Sequence, residues 1–146
     1  MLKSSTMLYS PRVTSVCLPS PSSPIPDPGV VAGWGKTTRG KEGNTQRKLQ
    51  FAYLDTYSVP ECQGKYDKLL RGRATVLINE NMLCAGNKRA DSCSGDSGGP
   101  LLALDQSFRW SVAGVVSFGP STCGNIVPGV YTRVDRYLDW IQRVTG

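Results

Sequence analysis

The 146-residue sequence contains no histidine. Histidine is the side chain most often used as a general base and the commonest neutral metal ligand, so catalysis by an imidazole of this chain is excluded. Five cysteines are present, but none form a C-x-x-C pair. With no histidine to complete a set, their spacing fits no zinc pattern, and neither a metal nor a cofactor is expected. Long apolar runs are also missing. Residues 1–11 hold no stretch long enough for a signal peptide or a membrane span, so no membrane association is expected. Aromatic residues form 8% of the chain and do not interleave with the basic ones at any regular spacing. Nucleic-acid modules are therefore excluded as partners. No internal repeat is present.

What the chain does hold fits one ordinary domain. Sixteen glycines and ten prolines, at 39% hydrophobic content, favour short strands joined by turns over long helices. Seventeen basic residues against eleven acidic give a net charge of +6, scattered through polar stretches in the manner of a solvated surface. Five cysteines in a domain of this size point to an oxidising, extracellular setting. Their odd number leaves one thiol without a partner in the chain. Secretion without an export signal leads to the expectation that the sequence is a piece of a longer one.

Residues 1–16 are weakly patterned, and residues 19–28, rich in serine and proline, read as an extended surface connector. Strand-length apolar stretches follow at 30–34, 49–56, 100–104, 110–118 and 129–134. Ser58, ahead of Val59, Pro60 and Glu61, is a helix N-cap with proline inside the first turn. Val134, Leu138 and Ile141 recur at helical spacing, with Asp135 early and Arg143 late to suit the helix dipole. The expected fold is all-β: an antiparallel barrel followed by a C-terminal helix.

The stretch that carries chemistry is Asp91-Ser-Cys-Ser-Gly-Asp-Ser-Gly-Gly-Pro100. Gly95 to Gly99 also satisfy the G-x-S-x-G pattern of a nucleophile elbow, which needs a helix straight after the serine. Gly98, Gly99 and Pro100 follow instead, and no amphipathic helix begins until far downstream, so that reading fails. Gly-Asp-Ser-Gly-Gly-Pro resembles the nucleophile signature of the trypsin/chymotrypsin family of serine proteases. Further stretches resemble landmarks of that family in their usual order: Val31-Ala-Gly-Trp-Gly35, Met82-Leu-Cys-Ala-Gly86, Val116-Ser-Phe-Gly119, Pro128-Gly-Val-Tyr-Thr-Arg-Val134 and Tyr137-Leu-Asp-Trp-Ile141. Together they span nearly all of the chain from Cys17 onward.

The resemblance implies a six-stranded Greek-key barrel over residues 29–146, the C-terminal barrel of the peptidase, with 1–28 as an inter-barrel segment and connector. It makes Ser97 the nucleophile and the N–H groups of Gly95 and Ser97 the oxyanion hole, where one donor is worth about 2.7–4 kcal/mol. Asp96 is the carboxylate that pairs with the N-terminus released on zymogen activation, and without that terminus it is expected to lose its partner. Asp91 matches the base of a pocket selective for Arg or Lys. Ser92 is an auxiliary hydroxyl in its wall, and Gly119 and Gly129 keep it open. Ser117 matches the serine that supports the triad aspartate, while Gly119 also pairs with the substrate backbone. Phe118 stands where the family usually has Trp.

The resemblance pairs Cys62 with Cys84 and Cys93 with Cys123, each closure contributing roughly 2–4 kcal/mol. It leaves Cys17 for a disulfide to an upstream segment. The partners implied are protein or peptide substrates with Arg or Lys at the cleavage site, together with protease inhibitors. The triad histidine and aspartate belong to an N-terminal barrel, and Met1-Leu-Lys3 resembles the sequence just after that aspartate. The chain by itself is therefore expected to be inactive. The alternative is a truncated, non-catalytic homologue that binds or regulates.

Overall fold

The structure, a computed structural model, describes residues 10, 12–21, 23–37, 44–105 and 108–146. Met1-Leu-Lys3 lies outside the described residues. Apolar and β-branched runs that end at glycine, proline or polar turns form the strands. These are β1 (Gly29–Gly33), β2 (Gln50–Leu54), β3 (Thr56–Tyr57), β4 (Met82–Ala85), β5 (Pro100–Leu104), β6 (Trp110–Phe118) and β7 (Gly129–Arg133). The helices are α1 (Val59–Leu70) and α2 (Leu138–Thr145), with a 3-10 turn at Val134–Tyr137 leading into the second.

Every strand pairing is antiparallel, in the order β2-β1-β5-β6-β7-β4-β3. The two outermost strands are consecutive in the chain and separated only by Asp55. A sheet whose edges are joined through one residue must curl until they meet, which removes its open edges. The Gly86 N–H donates to the Asp55 carbonyl at 2.9 Å and carries the pairing across the break. The expected count of six strands thus becomes seven segments, because the single apolar run 49–56 bends at Asp55 into β2 and β3. The result is a nearly closed, Greek-key-ordered barrel with six staves. Register shifts between Leu101 and Leu102, and between Val116 and Phe118, bend β5 and β6. The second turns the end of β6 at the rim of the site described below.

Leu54, Leu101 and Tyr131 are fully buried in the barrel interior with Val31, Leu83, Ala85 and Val116. Each such Leu contributes about 1.5–3 kcal/mol relative to exposure. A second cluster lies under α1. Ser58 caps that helix reciprocally: its Oγ accepts from the Glu61 N–H, and its own N–H donates to the Glu61 carboxylate at 3.0 Å. These hydrogen bonds from Ser58 hold the Glu61 carboxyl below its ordinary value. Cys62 and Tyr66, one turn apart, form the buried face of the helix against Ile78, Cys84, Val127 and Val130. The connector is held at the end of β7, where Arg133 makes a two-point ion pair with Asp135 at 2.8 and 3.1 Å and donates to the Ser23 carbonyl at 3.3 Å. No residue of α2 is buried; of the three helically spaced residues only Val134, in the preceding turn, is.

Candidate active site

The segment between β4 and β5 carries the chemistry-bearing stretch, and its glycines set its shape. Gly95 and Gly98 take φ of 102° and 79°, where a side chain would be strained. Between them the backbone folds tightly. The Asp96 N–H donates to the Cys93 carbonyl at 2.9 Å, the Gly99 N–H to the Asp96 carbonyl at 2.8 Å, and the Gly98 N–H to Val116 on β6 at 3.0 Å. Ser97 is exposed in this loop, and the chain beyond it enters β5, not a helix. Among the described residues the N–H groups of Gly95 and Ser97 have no hydrogen-bond partner.

Asp96, expected to lack an N-terminus as its partner, is held by backbone donors. Its carboxylate accepts the Gly35 N–H at 2.7 Å and the Cys93 N–H at 3.0 Å. A Cβ at Gly33 or Gly35 would overlap this carboxylate, so the glycines of Val31-Ala-Gly-Trp-Gly35 are the space that Asp96 occupies.

Asp91 has the opposite surroundings. Burial pushes its carboxyl up to about 7, against the pull of the Ser92, Gly129 and Gly124 N–H groups, with the Asp96 charge adding to the rise. Those N–H groups favour the anion, yet none hydrogen-bonds Oδ1, which is buried without a partner among the described residues. Gly129 lies against the same oxygen: a Cβ there would be 2.7 Å from it and 3.3 Å from the Ser92 hydroxyl. Gly119 faces Gly129 in turn, its Cβ position 3.5 Å from the Gly129 Cα. The Tyr131 hydroxyl donates to Ser92 Oγ at 3.1 Å, and burial holds that phenol well above its ordinary value.

A cavity of about 230 Å³ brings together Ser97, Ser92, Ser117, Phe118 and Gly119 beside the Cys93–Cys123 disulfide. Asp91 and Asp96 line a separate cavity of about 240 Å³ with Gly33 and Gly35. Ser92 links the two regions, since it lines the first and its hydroxyl shares the Gly129 contact with Asp91. Phe118, 40% exposed, packs edge-on against Tyr66 of α1, with ring centroids 6.2 Å apart. The Cys62–Cys84 disulfide ties α1 to β4. Cys17 is a free, exposed thiol whose backbone pairs beside β6, accepting from the Val112 N–H at 3.0 Å.

A family model described as Trypsin matches residues 1–141. The chain belongs to the trypsin family of serine proteases. It is 42% identical to Melanization protease 1 of Drosophila melanogaster, over 92% of this chain and 34% of that protein. It is 44% identical to Serine protease ea of the same organism, over 77% of this chain and 28% of that protein. It is 39% identical to Phenoloxidase-activating factor 1 of Holotrichia diomphalia, over 92% of this chain and 35% of that protein. The chain thus spans about a third of the length of these curated relatives.

Sequence reasoning assigned no role to several residues of this trypsin-family site. Gly33 and Gly35 were visible only as a landmark, with no sign that they face Asp96. Tyr131 lies within Pro128-Gly-Val-Tyr, but nothing in its spacing connects it to Ser92, 39 residues away. Tyr66 had a signal: it follows Cys62 by one helical turn, the spacing of a buried face.

Proposed function

We propose that this trypsin-family chain is the nucleophile-bearing barrel, over residues 29–146 with 1–28 as connector, of a serine endopeptidase that cleaves after Arg or Lys. The observation that carries the specificity is the Asp91 carboxyl, buried with an unpartnered oxygen and pushed up to about 7. Such a group gains most from a cation that replaces the lost water, and a guanidinium or ammonium does so with charge-assisted hydrogen bonds. Gly119 and Gly129 leave room for the long side chain, Ser92 adds a hydroxyl, and Phe118 forms an aromatic wall. Ser97 is the nucleophile, with the unengaged N–H groups of Gly95 and Ser97 as its oxyanion hole. Asp96, accepting from the Gly35 and Cys93 N–H groups, ties the Ser97 loop to the chain just after β1. Ser117 is the serine that supports the triad aspartate, and Gly119 aligns the substrate backbone as an added strand.

Substrates are proteins or peptides with Arg or Lys before the scissile bond, and inhibitors presenting the same residue compete for the pocket. Two disulfides suit an extracellular setting, and the exposed Cys17 thiol is available to an upstream segment. A triad histidine acting as general base would come from outside these 146 residues, since they contain none. That same lack favours a second reading, in which the isolated chain is a non-catalytic homologue that still binds basic peptides.

The test is titration of the chain with the fluorescent amidine p-aminobenzamidine. Binding by the native sequence and its loss in Asp91→Asn is the expected outcome. Equal binding by both would overturn the assignment of Asp91.

A further inference from the structure

We propose that the cavity between α1 and the 119–127 segment is a second binding site, one for an acidic peptide segment that also carries apolar side chains. The inference does not depend on the protease reading, because no residue lining this cavity lines either cavity at the Ser97 loop. This cavity, about 560 Å³, is larger than either cavity at the Ser97 loop. Four basic side chains line it, Lys65, Lys68, Arg71 and Arg73, and no acidic residue does. Ile126 and Val127 give it an apolar wall, with Ile126 60% exposed.

Lysines at the end of a helix ordinarily serve to complement its dipole. That accounts for Lys68 in the last turn of α1 and for Arg71 at its C-cap, but not for Arg73 beyond them. The nearest acid in the sequence, Asp67, is used elsewhere and accepts from the Gln63 amide at 2.8 Å. Lys65 is also engaged, over the Tyr57 ring and on the Ile126 carbonyl at 3.3 Å. Lys68, Arg71 and Arg73 form no ion pair among the described residues. Three unpaired like charges around one concave surface repel each other until an anion arrives. Arg71, moreover, keeps its charged side chain at φ 47°, a left-handed position that glycine would take with less strain.

Charge alone would suit any polyanion, but the apolar wall decides between occupants. A sulfated polysaccharide offers no apolar groups to cover Ile126, whereas a peptide alternating acidic and aliphatic residues satisfies both the rim and the wall. The site also adjoins the Ser97 cavity through one continuous segment, since Gly119 and Cys123 line that cavity while Asn125 and Ile126 line this one.

The experiment is fluorescence anisotropy of a fluorescein-labelled Glu-Asp-Leu-Glu-Asp-Leu peptide titrated with the 146-residue chain. The triple variant Lys68→Gln, Arg71→Gly, Arg73→Gln is expected to bind roughly tenfold more weakly or worse. The variant Arg12→Gln, Arg47→Gln, Lys48→Gln, with the same change in net charge, should bind as the native chain does. Equal weakening in both would mean attraction to net charge alone and would overturn the proposal, as would undiminished binding of a peptide with serine in place of leucine. Binding of a heparin fragment through the same residues, with no binding of the peptide, would reassign the cavity to polysaccharide and also overturn it. Where the triple variant fails to fold, Arg71→Gly decides alone, because glycine is favoured at that backbone angle. It is expected to weaken the peptide about twofold to fivefold, and an unchanged affinity counts against the site.

Discussion

A buried acid with one oxygen left unpartnered destabilises the fold when it ionises, and Asp91 is in that position. Its folded-state value of about 7 lies above the ordinary 3.8, so between those two pH values the native state holds a proton that the unfolded chain has lost. Stability from this group is therefore complete below the lower value, falls as pH rises through the window, and levels off above about 7. Thermal unfolding followed against pH should show this downward slope in the native chain and not in Asp91→Asn; parallel curves would remove the argument. A bound cation reverses the preference. Amidine affinity should rise with pH and level off near 7, weakening by about tenfold per unit below it. Asp96 makes the contrasting case, because its space is set by other residues. Gly35→Ala puts a methyl group into its carboxylate, and this variant should lose amidine binding together with Asp96's grip on the loop. An unchanged affinity in a folded Gly35→Ala protein would show that the contact is dispensable.

The two disulfides separate stability from site geometry among the elements. Cys62–Cys84 joins α1 to β4 across 22 residues and lines neither cavity at the Ser97 loop. Cys93–Cys123 closes 30 residues and forms part of the Ser97 cavity itself. Replacing either pair with serine should cost about 3 kcal/mol of stability. Only the second pair should also weaken amidine binding at a temperature where both variants are folded, and an equal effect on affinity would sink the distinction. How far elements could be read in advance follows the same division between local and non-local causes. The Ser58 cap, the start of α1 and the five apolar strand runs are written in adjacent residues, and they form where the pattern places them. The bend at Asp55 is not so written. It arises because one strand must pair with β1 at one end and β4 at the other, a demand from residues far along the chain. β4 is only four residues long, and as a strand it is defined by its partners β3 and β7 more than by its own sequence. At the site, the order of chemistry-bearing residues was legible in one run of ten. The Asp96 contacts with Gly35 and Gly33 depend on chain crossings 61 and more residues apart, which no local spacing encodes.

For the whole molecule, the decisive fact is a division of labour between what the barrel offers and what a serine protease requires. A serine hydroxyl becomes nucleophilic only when a base takes its proton as it attacks. The barrel offers Ser97, two unengaged N–H donors and a buried carboxyl, but it has no imidazole. Loss of the base in a comparable protease lowers the rate by about 10⁶-fold. The isolated 146-residue chain should therefore fail to react with a fluorophosphonate probe at Ser97 while still binding the amidine at Asp91. Intact-mass spectrometry after incubation reads the first property and fluorescence titration the second. Absence of both would point to a barrel that does not fold alone. Stoichiometric labelling at Ser97 would show that a group within these residues activates the serine, and the claim that the base lies outside the chain would then be wrong.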